Sequence, residues 1–405
     1  MDPDATKVVV VGGGYAGVMA ANRLTQRNDV DVTLISPRPR FVHRMRLHQL
    51  VAGSHDAVVD YSEILADRIQ LVVGTATDID PAGRRVALAG GDPITYDYLI
   101  YAVGSRPAEP GVPGAAEFAY GVAGLEEAQR ARSVLDAAPV TAPVTVVGAG
   151  PTGIEVATEL AQAGRNVTLA AGAVLNPYLH PRIRGKVARR LTQLGVTVLV
   201  GPGARVTAVR RDAVQLADGR SVPSAVTLWT AGFSLPELAA TSGLTTDADG
   251  RLVTDETLTS VDDVHIVAAG DSAAPSNLPL RMSVQAAMPL GAHAADTVLR
   301  RIAGQDPAPI NIGLFFQCIS LGGGVATVQL ASRQDVANRF AIGGRLASKI
   351  KASSFTGLVD ELAHEGRKPG SYVWRVTNPK RRQVLASRSE SSGRRAVARR
   401  EGVSR

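Results

Sequence analysis

One turn, written twice, constrains this chain more than any other feature. "VVVVGGGYAGVMAANRL" (8–24) places Gly12, Gly14 and Gly17 in the order G-x-G-x-x-G, and "VTVVGAGPTGIEVATEL" (144–160) places Gly148, Gly150 and Gly153 in the same order. Each copy follows a β-branched run and opens a stretch with small and apolar residues at helical spacing: Val18, Ala20, Ala21 and Leu24 in the first, Ile154, Ala157 and Leu160 in the second. Each then returns to a β-branched run, "DVTLIS" or "NVTLAA". A strand buried on both faces reads as such a run, and the helical spacing marks the crossover. The first glycine permits the tight bend, the second lets the backbone approach a diphosphate, and the third lets helix and strand pack closely. A single G-x-G-x-x-G is weak, but two copies, each between strand and helix, predict two dinucleotide-binding units.

The order of the remaining runs predicts how the units are arranged. "YLIYAVGSRP" (98–107) and "AVTLWTAGFSLP" (225–236) both end in Gly, Gly104 and Gly232, with Pro close behind. A third run, "VHIVAAGDSAA" (264–274), precedes the helical stretch "SVQAAMPLGAHAADTVLRRIAG". The expected fold is α/β, with two nested Rossmann-like dinucleotide-binding domains and a smaller C-terminal α+β segment. We expect a first unit over 1–110 and 231–305, an inserted unit over 111–230, an acceptor or interface region over 306–379, and a basic disordered tail over 380–405. Residues 69–107 read as a short antiparallel meander leading into a buried strand.

Composition limits the function classes. The chain has 405 residues, 45% hydrophobic and 20% charged, as expected of a globular protein. Its net charge of +7 belongs to one end: from Asn378 to Arg405 there are nine Lys/Arg against two Asp/Glu, and the rest is balanced. A basic nucleic-acid-binding body is therefore not expected. The lone Cys318 excludes an internal disulfide framework and a multi-cysteine metal site, and no metal ligand set is expected. Cys318 reads as a small core hydrophobe, with a place in an acceptor pocket as the alternative. The start, "MDPDATKVVVVGGG", has no basic n-region, so the expected compartment is the cytoplasm.

With these motifs in place, the chain resembles the FAD-dependent pyridine-nucleotide oxidoreductases with two dinucleotide-binding domains, and within them the type II NADH:quinone oxidoreductases and NADH dehydrogenase-like proteins. The resemblance covers residues 7–305 well and the remainder loosely. It implies FAD on Gly12, Gly14 and Gly17, and NAD(P)H as substrate on Gly148, Gly150 and Gly153. It implies that Gly104 and Gly270 shape the flavin site, and that Asp271 accepts hydrogen bonds from the ribityl chain or adjoining phosphate region. "FVHRMRLHQL" (41–50) falls where the family crosses the flavin pyrophosphate, with Arg44 a better match than Arg46; His43 and His48 receive no catalytic role. Glu155, near the start of the second crossover helix, reads either as a carboxylate placed by the helix dipole or as a residue positioning the hydride donor or managing protons. Gln285 is the survivor of the family's acceptor-side glutamines, and Pro289 and Leu290 stand where the pair should be. The helix beginning near Gln285 is expected to aim its N-terminus at the flavin.

The first unit's second strand ends in Ser36, not an acid, and the second unit's ends in Ala170 and Ala171, which leaves NADH and NADPH both admissible. The expected function is hydride uptake from NAD(P)H and electron transfer to a separate acceptor, first a quinone. The alternatives are a ferredoxin-type reductase and a flavin-bound redox sensor with little turnover. The resemblance also allows a homodimer and peripheral contact with the cytoplasmic membrane face through the basic tail.

Overall fold

The structure, a computed structural model, describes residues 5–388. Val8–Val11 are buried to 3% exposure or less, and this run forms the middle of a five-stranded parallel sheet. Its order is Ile266–Ala268, Tyr98–Tyr101, Thr6–Val11, Val30–Ser36, Gln70–Val73. The Tyr15–Leu24 helix packs on it and against the Val284–Ile302 helix. These two helices approach so closely that a Cβ on Gly291 would lie 2.2 Å from the Ala16 carbonyl oxygen, which is why this face of the sequence is made of Gly and Ala.

A second five-stranded parallel sheet is inserted between the Tyr98–Tyr101 and Ile266–Ala268 strands. Its order is Ala119–Gly121, Val226–Trp229, Pro143–Val147, Asn166–Ala170, Thr197–Leu199. The crossings in and out lie side by side, because Arg106–Pro107 pairs antiparallel with Phe233–Ser234. The expected meander is corrected at its start: Gln70–Val73 joins the first sheet as an edge strand, and only Ala76–Asp80, Arg85–Leu88 and Gly91–Thr95 form the antiparallel unit.

The C-terminal part is α+β: an antiparallel sheet of Phe316–Ser320, Ala326–Ala331 and Ala337–Gly343, followed by a 24-residue helix, Gly344–Arg367. Sequence patterning blurs that helix for a physical reason. Its buried positions are Ala347, Lys351, Phe355, Leu362 and Glu365, so two of the five inward side chains are charged. Glu365 is fully satisfied, taking hydrogen bonds from Arg23, Gly370, Ser371 and Tyr372.

The tail expectation needs a second correction. Residues 381–388 are helical, and Arg381 is 6% exposed. Its guanidinium grips Glu256 at 2.7 and 2.9 Å and donates to the Pro275 and Leu278 carbonyls, so the chain is pinned where disorder was expected to begin. The rest of the basic tail, 389–405, lies outside the described residues.

Candidate functional site

Both glycine turns have the same backbone. Gly12 and Gly148 sit at φ +113° and +103°. A Cβ on Gly17 would be 1.8 Å from the Gly12 carbonyl oxygen, and one on Gly153 would be 1.8 Å from that of Gly148. The middle glycines face open space, since a Cβ on Gly14 or Gly150 meets nothing within 4 Å. Gly14 and Gly150 are also the N-caps of their helices, and neither end has a side-chain cap. Free helix N–H groups beside open space form a cradle for an anion. The residues present therefore fit a dinucleotide diphosphate at each turn.

Around the first turn, side chains form a second layer. Ser36 ends its strand buried, and the Tyr61 hydroxyl lies 3.0 Å from Ser36 Oγ and 2.8 Å from the Gly13 carbonyl. Tyr15, the first residue of the helix, meets His43 Nδ1 at 2.6 Å, and His43 Nε2 meets the Phe355 carbonyl at 2.9 Å. Since a carbonyl only accepts, Nε2 carries the proton and Tyr15 donates to Nδ1. Burial pushes His43 down to about 4, so this ring is neutral. His43 is thus the structural hydrogen bonder that its sequence context suggests.

Arg44 and Asp271 come together through a residue that sequence reading missed. Arg44 donates to the Ser105 carbonyl and hydroxyl at 3.0 and 3.1 Å, and Ser105 Oγ donates to Asp271 Oδ2 at 2.7 Å. The row lies at the carboxyl ends of the Tyr98–Tyr101 and Ile266–Ala268 strands, beside Gly104 (φ +67°) and Gly270 (φ +72°). Carboxyl ends of parallel strands are where such sheets bind ligands. Ser105 was legible only as the residue after Gly104.

Glu155 departs from the helix-dipole reading. It is the fifth residue of the Pro151–Gln162 helix, too far along for the helix N-terminus to be its main partner, and it is 6% exposed. Oε1 accepts from Lys351 Nζ and from the Ser320 N–H, each at 2.9 Å, and Oε2 faces His48 Nδ1 at 3.6 Å. Burial opposes its charge, but Lys351, His48 and the Ser320 N–H together outweigh that and hold the carboxyl below the usual range. Lys351 is 6% exposed, stands 5.0 Å over the Phe355 ring, and reaches the Cys318 carbonyl at 3.5 Å. Three polypeptide regions thus meet at one buried charge pair: the second crossover helix, the C-terminal sheet and the C-terminal helix. Lys351 carries no motif, and its signal was a charge at an otherwise apolar helical position.

Two other candidates are tied into structure. Gln285 Oε1 accepts from the Phe315 N–H at 3.3 Å, which fastens the Val284–Ile302 helix to the C-terminal part. That helix is capped by Ser283 Oγ, which accepts from the Ala286 N–H; Pro289 and Leu290 are buried within it. Cys318 is part-buried in the C-terminal sheet, and burial pushes its thiol up to about 11, which keeps it protonated. Among the described residues no three His, Cys, Asp or Glu side chains lie together as a metal set, and no helix is long and apolar enough to cross a membrane.

Beside the second turn, Ala170 ends its strand and the Ala171 N–H donates to the Leu199 carbonyl. Asn176 N–H donates to the Ala149 carbonyl inside the turn, and Asn176 Nδ2 reaches Gln317 Oε1 at 3.4 Å.

Comparison with known proteins agrees with this geometry. The family model for pyridine nucleotide-disulphide oxidoreductases matches residues 6–291. An NADH dehydrogenase-like protein of Mycobacterium tuberculosis is 31% identical over 348 residues, covering 78% of this chain and 86% of the relative. A type II NADH:quinone oxidoreductase of the same species is 29% identical over 351 residues, covering 76% and 75%. Among solved structures, the sulfide:quinone oxidoreductase of Aquifex aeolicus superposes with a TM-score of 0.75 at 20% identity, over 90% of this chain and 93% of the other. With two dinucleotide turns on nested parallel sheets, the chain is an oxidoreductase that belongs to the pyridine nucleotide-disulphide oxidoreductase family.

Proposed function

We propose that this oxidoreductase is an NAD(P)H:quinone oxidoreductase that holds FAD at the first turn and NAD(P)H at the second, with Glu155 and Lys351 managing the proton. The observation that carries the reading is the buried ion pair between Glu155 and Lys351, 2.9 Å apart and closed off by Ser320 and Phe355. When bound, FAD supplies the two-electron chemistry that links nucleotide to quinone. Gly14 and Gly150 leave room for the two diphosphates, while Arg44, Ser105 and Asp271 offer donors and an acceptor along the flavin's polar chain. Overall, NAD(P)H gives two electrons and one proton, whereas a quinone takes two electrons and two protons. The second proton must come through the protein. Lys351 Nζ is the donor this site offers, held 2.9 Å from Glu155 Oε1.

The chain has a single cysteine, Cys318, and so no internal dithiol pair for disulphide exchange. We further propose peripheral membrane contact along the last strand and the first turn of the C-terminal helix. Phe340 and Leu346 are 57% and 61% exposed there, among the exposed Arg339, Arg345 and Lys349. Apolar tips among cations suit an anionic lipid surface.

The test is a steady-state acceptor panel with Glu155→Gln and Lys351→Met. A soluble quinone should support turnover in the wild type, and either substitution should lower kcat roughly 100-fold, the lower end of a general acid's contribution. Preference for a one-electron protein acceptor would favour the ferredoxin-type reductase, and little turnover with any acceptor would favour the redox sensor.

A further inference from the structure

Glu155 has two oxygens and a lopsided set of partners. Oε1 has both close donors, Lys351 Nζ and the Ser320 N–H. Oε2 faces only the His48 ring, at 3.6 Å, which is beyond hydrogen-bond length. His48 is 3% exposed, and among the described residues its Nε2 has no hydrogen-bond partner. On the ring's own helix, Leu47–Ala52, the other polar side chain, Gln49, accepts from Arg46. The remaining groups acting on this pair are Arg46, the Met45 carbonyl, which takes a hydrogen bond from the His48 ring and from which the ring would turn to reach Oε2, His43 across the Phe355 ring, and Glu159 one turn along from Glu155.

A buried carboxylate whose one counter-charge gives up its proton is left uncompensated, at a cost of several kcal/mol. This is the situation of Glu155 each time Lys351 delivers a proton. The imidazole is the one side chain placed to answer it, because a shift of about 0.5–1 Å would bring Nδ1 within hydrogen-bond distance of Oε2. We propose that His48 is a positioning residue of the acceptor half-reaction, a reserve donor whose Nδ1–H closes on Glu155 Oε2 while Lys351 is without its proton. This rests on the assignment of Glu155 and Lys351 as the proton-handling pair. The geometry also fixes the tautomer. A proton on Nε2 would be a buried donor without an acceptor and would turn the Nδ1 lone pair toward a carboxylate. Burial pushes His48 down to about 4, against the pull of Glu155, so at neutral pH the ring has one proton to place.

Two measurements test this. Nitrogen NMR of histidine-labelled protein, with no turnover required, should report His48 as the Nδ1–H tautomer; the Nε2–H tautomer overturns the proposal. Kinetically, His48→Leu should lower quinone-dependent kcat about tenfold and move the acidic limb of its pH profile up by about one pH unit, the size of a weak charge-assisted hydrogen bond. His48→Asn, which restores an N–H near the Nδ1 position, should recover most of both. Flavin content and anaerobic reduction by NADH report that each variant has folded. An unmoved limb in His48→Leu, or His48→Asn no better than His48→Leu, overturns the proposal. If Glu155→Gln alone impairs quinone reduction, the pair stands and only His48 falls; if Glu155→Gln has no effect, the underlying assignment falls as well.

Discussion

The two glycine turns share a backbone and differ in everything built around it. At both, the third glycine lies under the first one's carbonyl at a distance no side chain tolerates, and the middle glycine faces open space. The first turn is then braced from outside. Tyr61 reaches the Gly13 carbonyl, Tyr15 is held by His43, and a Cβ on Gly13 would be 2.0 Å from the Tyr61 hydroxyl oxygen. The second has a lighter frame: Thr230 Oγ1 donates within it, to the Val147 or Gly148 carbonyl, and Asn176 touches Ala149 through backbone. Equal local rules therefore give a heavily braced site and a loosely braced one. A heavily braced site suits a ligand that stays, and a loosely braced one suits a ligand that must leave every cycle.

Four experiments probe that contrast. The largest effect belongs to the third glycines. Gly153→Ala drives a methyl into the Gly148 carbonyl and should cut kcat/KM for NADH at least roughly 100-fold with FAD retained, whereas Gly17→Ala should yield protein without flavin. Flavin lost from Gly153→Ala and kept in Gly17→Ala would reverse the assignment of the turns.

Next is acid. His43 and His48 sit near 4 in the fold, both lowered by burial, against about 6.5 in the unfolded chain. Between those values the unfolded state binds more protons, so stability is present above pH 6.5 and is lost as pH falls toward 4. Each ring contributes roughly 3 kcal/mol at 1.36 kcal/mol per pH unit. Because His43 braces the first turn, FAD release should track this loss, and His43→Asn should flatten the slope; urea unfolding at several pH values reads it. A slope unchanged in His43→Asn would mean that the brace does not titrate.

Asp271→Ala removes the acceptor of the Ser105 hydroxyl and should weaken FAD retention tenfold to a hundredfold, about 1.5–3 kcal/mol for a hydrogen bond to a charged group. Unchanged flavin affinity would leave Asp271 a purely structural role. The smallest effect is at the loose site. With no acid after Ala170, NADH and NADPH should differ in kcat/KM by less than about 100-fold, and Ala171→Glu should shift preference about tenfold toward NADH by repelling a 2′-phosphate. Strong native selectivity untouched by that change would place recognition elsewhere.

How far the sequence discloses the molecule follows from what each feature depends on. The nested sheets were legible because strands buried on both faces and glycines in fixed order are local consequences of local sequence. Arg44 and Asp271 were singled out separately, through the family resemblance, and that Ser105 joins them was not legible, because its residue type is too common to carry a signal alone. The Glu155 cluster was not legible. Its members come from four separate stretches, 48, 155, 320 and 351, and a buried ion pair leaves only two charges in apolar company. The same burial hid the C-terminal helix, because counting Lys351 and Glu365 as polar breaks the stripe they complete. Arg381 misled in the same way: a charge inside a basic tail reads as solvated until Glu256 is found beneath it.

The pairing of Glu155 with Lys351 also has a schedule. A ribosome adding 5–20 residues per second reaches position 351 roughly 10–40 s after position 155. Throughout that interval the crossover helix of the second turn exists without its cation. The second sheet is fully translated by Trp229, yet Glu155 must stay hydrated or take up a proton until the last long helix arrives. The nascent protein therefore has both glycine turns before it has this ion pair, which forms only when the C-terminal helix docks. Until then the carboxylate of the second crossover helix has no lysine to answer it.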